Sequence, residues 1–173
     1  KQYIEGLPQE KVTPSEKDLR KITEEKNLIK EARSLNTSTE IFLGKFIWPL
    51  QGTVTGVFGS QRILNGKARS PHLGIDIAAE EGAVIVSPAP GRILLAEEDM
   101  FFTGKTIMVD HGFGLTSIYA HLSEISVTKD QLIQQGGVIG KVGMSGRVTG
   151  PHLHWGVHWY NIGLDPALLV NGF

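Results

Sequence analysis

The spacing of apolar side chains changes once along the chain. Between residues 16 and 34 the apolar positions Leu19, Ile22, Leu28, Ile29 and Ala32 recur at helical intervals among many Lys and Glu. Thr13-Pro14-Ser15-Glu16 reads as the helix start, with Thr13 as cap, Pro14 at the first helical position and Glu16 reaching back to the cap nitrogen. A helix is therefore expected over about 14–34, but its stripe is too narrow to form a core alone. It must lean on the domain that follows or on another. It is either a connecting helix or an arm that shades a site downstream.

From Phe46 onward the pattern becomes short β-branched runs punctuated by Gly and Pro, beginning at Trp48-Pro49-Leu50. Strands are expected over 53–58, 84–87, 91–97, 106–110, 116–121, 138–142 and 152–159, spaced as in a sandwich or open barrel. Asn65-Gly66 predicts a two-residue hairpin turn. The expected organisation is an N-terminal extension over 1–45 and one mainly β domain over 46–173.

Composition narrows the possible roles. The chain has 173 residues, enough for one domain with an extension, and 21 glycines, above the average share of about 7%. A formal net charge of -1 provides no basic field for nucleic acid, which is not expected as a partner. With no cysteine, disulfides and thiolate ligands are excluded. No run approaches the roughly 18 apolar residues of a membrane span. Residues 1–5 lack the apolar centre of a signal peptide, so the expectation is a cytoplasmic protein or a trimmed part of an exported one. The stretch Ile4-Glu5-Gly6-Leu7-Pro8 looks like the tail of an upstream domain.

All six histidines lie at or after position 72. Taken singly, each is a hydrogen-bonded core or surface residue; the functional case rests on spacing. In His152-Leu153-His154-Trp155 a strand places both imidazoles on one face, with Cα atoms about 6 to 7 Å apart. The two then share a metal, or one ligates while the other faces a bound water, and spacing does not choose between these. In His72-Leu73-Gly74-Ile75-Asp76 a straight strand would separate the side chains by about 13 Å. That is too far for one ion with bonds near about 2 Å. A bend at Gly74, with His72 in a loop and Asp76 entering a strand, brings them together. Two imidazoles and a carboxylate suit zinc, and three protein ligands leave a fourth position open, as in catalytic sites. Neither a His-Glu-x-x-His helix nor a Gly-x-Ser-x-Gly elbow is present.

Three segments carry a resemblance to a known family: Ser70-Pro71-His72-Leu73-Gly74-Ile75-Asp76, Tyr119-Ala120-His121-Leu122, and Gly146-Arg147-Val148-Thr149-Gly150-Pro151-His152-Leu153-His154-Trp155. In this order and at these separations they resemble the lysostaphin-like (LytM-type) zinc endopeptidases of the Gram-negative envelope type, over about residues 46–169. The resemblance implies a mainly β fold, an antiparallel sandwich or open barrel with a groove, duplicated-hybrid-motif-like. It implies one zinc ion held by His72, Asp76 and His154, with His121 and His152 unligated beside the zinc water as catalytic residues. It further implies peptidoglycan cross-links or stem peptides as substrate, a monomeric enzyme and a periplasmic or envelope location.

Arg62, Asn65 and Arg69 lie upstream of His72 and are candidates for contact with a substrate carboxylate, because arginine forks match carboxylates in pairs; the alternative is surface solubility. His111, between Asp110 and Gly112, reads as structural. His158 shares a face with His154 but sits about 13 Å along the strand, too far to ligate. Two rivals remain. The hairpin-like runs Pro88-Ala89-Pro90-Gly91-Arg92-Ile93 and Ile133-Gln134-Gln135-Gly136-Gly137-Val138-Ile139-Gly140 look like those of biotinyl and lipoyl carriers, yet no lysine stands at such a tip. The other is a wall-binding or amidase-activating relative that cuts nothing; those relatives usually lack the metal ligands.

Overall fold

The β-branched runs after Trp48 fold as strands in a computed structural model that describes residues 1–35 and 44–170; residues 36–43, assigned above to the N-terminal extension, lie outside the described residues. The first segment holds β1 (Gln2–Ile4), a short α1 (Gln9–Val12) and α2 (Glu16–Ser34). The second holds β2 (Thr53–Gly56), β3 (Gln61–Leu64), β4 (Lys67–Pro71), β5 (Ile75–Ala78), β6 (Val84–Val86), β7 (Gly91–Met100) and β8 (Gly104–Asp110). It continues with β9 (Leu115–Ile125), β10 (Leu132–Ile133), β11 (Val138–Val142), β12 (His152–Trp159), β13 (Ile162–Leu164) and a 3-10 turn at Pro166–Leu168. The fold is mainly β with one long helix, as expected, and its large antiparallel sheet does not close into a barrel.

The large sheet runs β10-β7-β8-β9-β12-β5-β2, with β11 pairing β6 and β9, and β13 pairing β12. Central β9 is buried without a break from Thr116 to Leu122 because both sheet faces are covered. On one face Ile75, Ile107, Tyr119, Leu153 and Trp155 belong to the main core. On the other, Leu94, Met108 and Ile118 meet Ile29 and Ala32 of α2. The narrow stripe of α2 thus leans on the domain that follows it.

The start of α2 lies two residues later than the sequence pattern indicates. Ser15, not Thr13, is the cap: its Oγ accepts from the Asp18 amide at 3.2 Å, and Asp18 Oδ2 accepts from the Ser15 amide at 3.2 Å. This reciprocal pair satisfies two amide donors at once, and it forms two residues beyond the equivalent Thr13–Glu16 spacing. Pro14 precedes the cap.

A second, three-stranded sheet has the order β1-β3-β4. The β3–β4 hairpin turns at Asn65-Gly66 with φ of 45° and 77°, as its dipeptide requires. β1 pairs with β3 in parallel, so the N-terminal segment is stitched onto the hairpin that leads to His72. Among the described residues, no helix is long and apolar enough to cross a membrane.

Candidate metal centre

Register brings the site together. β12 pairs with β5 so that His154 lies opposite Asp76, and with β9 so that His154 lies opposite Ala120. Cross-strand neighbours on one face are close enough for their side chains to meet. The chain bends at Gly74, just before β5 begins at Ile75, leaving His72 outside the strand and Asp76 within it.

Three donor atoms converge. Asp76 Oδ1 lies 3.1 Å from His72 Nε2 and 2.9 Å from His154 Nδ1, and the two imidazole nitrogens are 2.9 Å apart. These edges approach the roughly 3.3 Å expected between ligand atoms around a tetrahedral ion with bonds of about 2.0–2.1 Å. The donor set fits zinc in kind and spacing. His72 Nδ1 lies 3.2 Å from the Val57 carbonyl; donation there leaves Nε2 free to face a metal, the outer-shell arrangement typical of metal-binding histidines.

The electrostatics favour an ionised carboxylate at the centre. Burial alone would raise the Asp76 carboxyl, but hydrogen bonds from His154 and His72, with the charges of His154 and Arg62, hold it well below the usual carboxylate range. Arg62 Nη2 donates to Asp76 Oδ2, which leaves Oδ1 facing the imidazoles. Burial lowers the pKa of His154 against the opposing pull of Asp76.

Two more imidazoles stand beside the donor set. The His121 and His152 rings are 4.8 Å apart, and His152 Nε2 is 4.0 Å from Asp76 Oδ1. His152 Nδ1 is 2.9 Å from the Gly150 carbonyl and His121 Nδ1 is 2.8 Å from the Ser145 carbonyl, so each ring keeps its Nε2 for other work. Burial, then the neighbouring His152 and His154, pushes the His121 pKa down to about 3. His121 has φ of 68° where β9 shifts register against β8, between Tyr119 and Leu122. Such a conformation costs a non-glycine residue on the order of 1–3 kcal/mol and persists where the surroundings over-determine it.

Two glycines make room for the ligands. A Cβ at Gly56 would lie 2.5 Å from Asp76 Oδ2, and one at Gly74 would lie 2.7 Å from His154 Cε1.

The site candidates upstream of His72 have separate partners. Arg62 binds Asp76; Asn65 Nδ2 donates to the Leu7 carbonyl at 2.8 Å; Arg69 Nη2 donates to the Val12 carbonyl at 2.5 Å. His111 is buried in the core between the Pro90 carbonyl and Ser117 Oγ, away from the donor set. His158 is also buried and does not belong to the donor set; burial, with Arg33 nearby, pushes its pKa down to about 4. Sequence reasoning missed Gly56, the Ser145 carbonyl and Arg147, although Arg147 lies inside the third family-like segment.

Residues of the N-terminal arm face this centre. A cavity of about 40 Å³ has Ile4, Leu7, Asp76, His121 and His152 in its lining. A larger cleft of about 500 Å³ runs between Val12, Leu19 and Ile22 on one side and Arg69, His72 and His154 on the other.

Two imidazoles and one carboxylate, from a loop and two neighbouring strands and open to a cleft, make a group that could hold one metal ion on a mainly β scaffold. The chain belongs to peptidase family M23, whose profile matches residues 70–166. It is similar to cell division protein DipM of Caulobacter vibrioides, 32% identical over 149 residues that cover 81% of this chain and 24% of that protein. Peptidoglycan DD-endopeptidase ShyB of Vibrio cholerae is 36% identical over 87 residues, covering 50% of this chain and 20% of ShyB. Murein hydrolase activator NlpD of Salmonella dublin is 28% identical over 136 residues, covering 79% and 34%. The chain thus spans between 20% and 34% of the length of these relatives. Among solved structures, one from Pseudomonas aeruginosa assigned to peptidase M23 matches with TM-score 0.80 and 36% identity, covering 91% of this chain and 64% of that one. A zinc-containing peptidase from Vibrio cholerae matches with TM-score 0.66 and 30% identity, covering 71% and 39%.

Proposed function

We propose that this chain is a zinc-dependent endopeptidase acting on peptide cross-links or stem peptides of bacterial peptidoglycan. The observation that carries the reading is the triangle of His72, Asp76 and His154 donor atoms with two further imidazoles, each with Nε2 unengaged, on its open side. A relative named as a peptidoglycan DD-endopeptidase supports the substrate class. Zinc at such a site supplies a polarised carbonyl and a water acidic enough to attack it near neutral pH.

The protein's own residues do the rest. His72, Asp76 and His154 hold the ion, and Arg62 fixes the Asp76 carboxylate so that one oxygen is presented. His121 and His152 present Nε2 toward the reacting centre; a neutral ring there takes a proton from the attacking water, and the charged ring then steadies the developing negative charge and passes that proton to the leaving amine. His121 is neutral at neutral pH because burial disfavours its charged form, so it enters the reaction able to accept a proton. Asn65, through its bonds to Leu7, holds the arm rather than the ion. With peptidoglycan as substrate, the protein works in the periplasm or envelope.

The rival is a domain that binds wall or activates another hydrolase without cutting, as the name of NlpD describes for that relative. The presence of all three donors, His72, Asp76 and His154, favours the enzyme. Digestion of defined peptidoglycan by the zinc-loaded protein, with mass analysis of the fragments, should give new peptide termini that vanish with His154→Ala. Undiminished wall cleavage by that variant, or zinc well below one ion per chain at neutral pH, overturns the proposal.

A further inference from the structure

The cleft beside the donor set carries more positive charge than the fold requires. Lys26, Arg62, Arg69 and Arg147 line it, and no acidic side chain appears among those lining residues. The carboxylate of Asp76 reaches the site from the adjoining cavity, where it serves Arg62 and the two imidazoles. Among the described residues, Arg69 and Arg147 find no carboxylate. Instead, Arg69 Nη2 donates to the Val12 carbonyl at 2.5 Å and Arg147 Nη1 reaches the Lys11 carbonyl at 3.4 Å. The Arg147 guanidinium lies 4.2 Å over the Phe102 ring, which fixes its plane. Two consecutive carbonyls of the N-terminal arm are therefore gripped by two guanidinium groups at the mouth of the metal centre.

Neutral carbonyls satisfy hydrogen-bond donors but not charge. Burial, then the nearby Arg62 and Arg69, lowers the Arg147 pKa to about 10, as expected of cations gathered without their counter-ion. An arginine fork matches a carboxylate in pairs and binds it about twice as strongly as a neutral acceptor. A bound divalent ion would add positive charge beside the cluster.

We propose that Arg69 and Arg147 form a subsite for a free carboxylate of the peptide substrate, next to the scissile amide, and that the Lys11 and Val12 carbonyls occupy this subsite until substrate displaces them. The preferred substrates are then peptides with a carboxylate within one residue of the cut bond, at a chain end or on a side chain. This rests on the hydrolase reading for its reaction, but not for its binding. Arg62 is not part of the subsite, because it is committed to Asp76.

The test uses the full chain and two probes, acetyl-D-alanyl-D-alanine with a free carboxylate and the same peptide as its C-terminal amide. The first readout is trypsin cleavage after Lys11, in the arm that the arginines hold. The free acid should speed that cleavage several-fold, and the amide should not. This readout works with or without zinc. The second readout is hydrolysis by the zinc-loaded protein: KM for the amide should exceed KM for the acid by about tenfold or more, the size of a charge-assisted bond pair. In Arg69→Ala and Arg147→Ala that ratio should fall toward one, and in Arg69→Lys and Arg147→Lys it should fall only part of the way.

Equal effects of acid and amide on arm cleavage in the wild-type chain overturn the subsite, whatever the variants do. An unchanged KM ratio in both alanine variants also overturns it, and leaves the hydrolase reading standing. Acid-specific release of the arm in a protein that cuts neither peptide nor wall supports the subsite and counts against the hydrolase.

Discussion

Gly74→Ala tests whether the bend that delivers His72 also positions His154. A Cβ on Gly74 would lie 2.6 Å from the Trp155 carbonyl oxygen and 2.7 Å from His154 Cε1, about 0.8 Å inside the 3.4 Å at which ordinary contact begins. Neither neighbour yields cheaply. The Trp155 backbone belongs to β12, paired on both sides, and the His154 ring is held by Asp76 and His72. Overpacking of this kind costs about 1–3 kcal/mol. For a chain of this size a 2 kcal/mol loss lowers the melting temperature by about 4–8 °C. The shift also falls on His154, a ligand in the proposed site, and disturbing the supports of a metal ligand weakens affinity by about 10–100-fold. Calorimetry on the metal-free protein should show the first effect, and competition with a chromophoric zinc chelator the second. Gly163→Ala is the control, because its added methyl meets Leu73 and Phe58 at an ordinary 3.4 Å. Wild-type zinc affinity in Gly74→Ala, with melting within about 1 °C of the parent, would refute the reasoning.

Three other outcomes follow from the same geometry. His121→Ala should keep one zinc per chain and lose peptide hydrolysis, whereas His72→Ala and Asp76→Ala should lose both together; metal content and product analysis on the same samples separate them. Val12→Asp places a carboxylate in the buried cluster of Leu7, Val12 and Leu64, so the arm should leave its seat and trypsin should cut after Lys11 many-fold faster; unchanged protection would show that the arm is held otherwise. The third outcome concerns acid stability through His111, fully buried and pushed down to about 4 by burial, from an unfolded value near 6.5. Above pH 6.5 both states are neutral and the residue has no pH effect. Between 6.5 and about 4 the unfolded chain takes up the proton first, so stability falls by up to about 3 kcal/mol. Urea unfolding at pH 7 and pH 4.5 should show a smaller difference in His111→Gln than in the parent, and equal differences would remove His111 as a source.

Where local spacing determines geometry, the sequence was a good guide. Period-two alternation in His152-Leu153-His154 placed two imidazoles on one strand face, and the impossible span from His72 to Asp76 in a straight strand required the bend at Gly74, which the structure shows. Asn65-Gly66 formed its hairpin because both positions need positive φ. The helix start was misplaced because Thr13 and Ser15 are both competent caps, and Asp18 decides between them. Strands of two or three residues, such as β1, β10 and β13, have no periodicity to read. The grip of Arg69 and Arg147 on the arm was invisible for a different reason. Its acceptors are main-chain carbonyls, which every residue carries, brought in from 57 and 136 positions away.

Those separations bear on how the molecule assembles. Hairpins such as β7–β8 and β8–β9 close short loops and form early, whereas contacts that close long loops form late. The arm docks through β1 on β3, Lys11 on the Phe101 carbonyl and Arg147 on the Lys11 carbonyl, at separations reaching 136 residues. His72 and His154 are themselves 82 positions apart, so the donor triangle and the arm both wait for long-range pairing. The arm rests on the small apolar cluster of Leu7, Val12 and Leu64, which makes it the part that opens first: exchange of the Asn65 amide, which donates to the Ile4 carbonyl at 2.9 Å and seals the arm to the hairpin, should be faster than anywhere in β9.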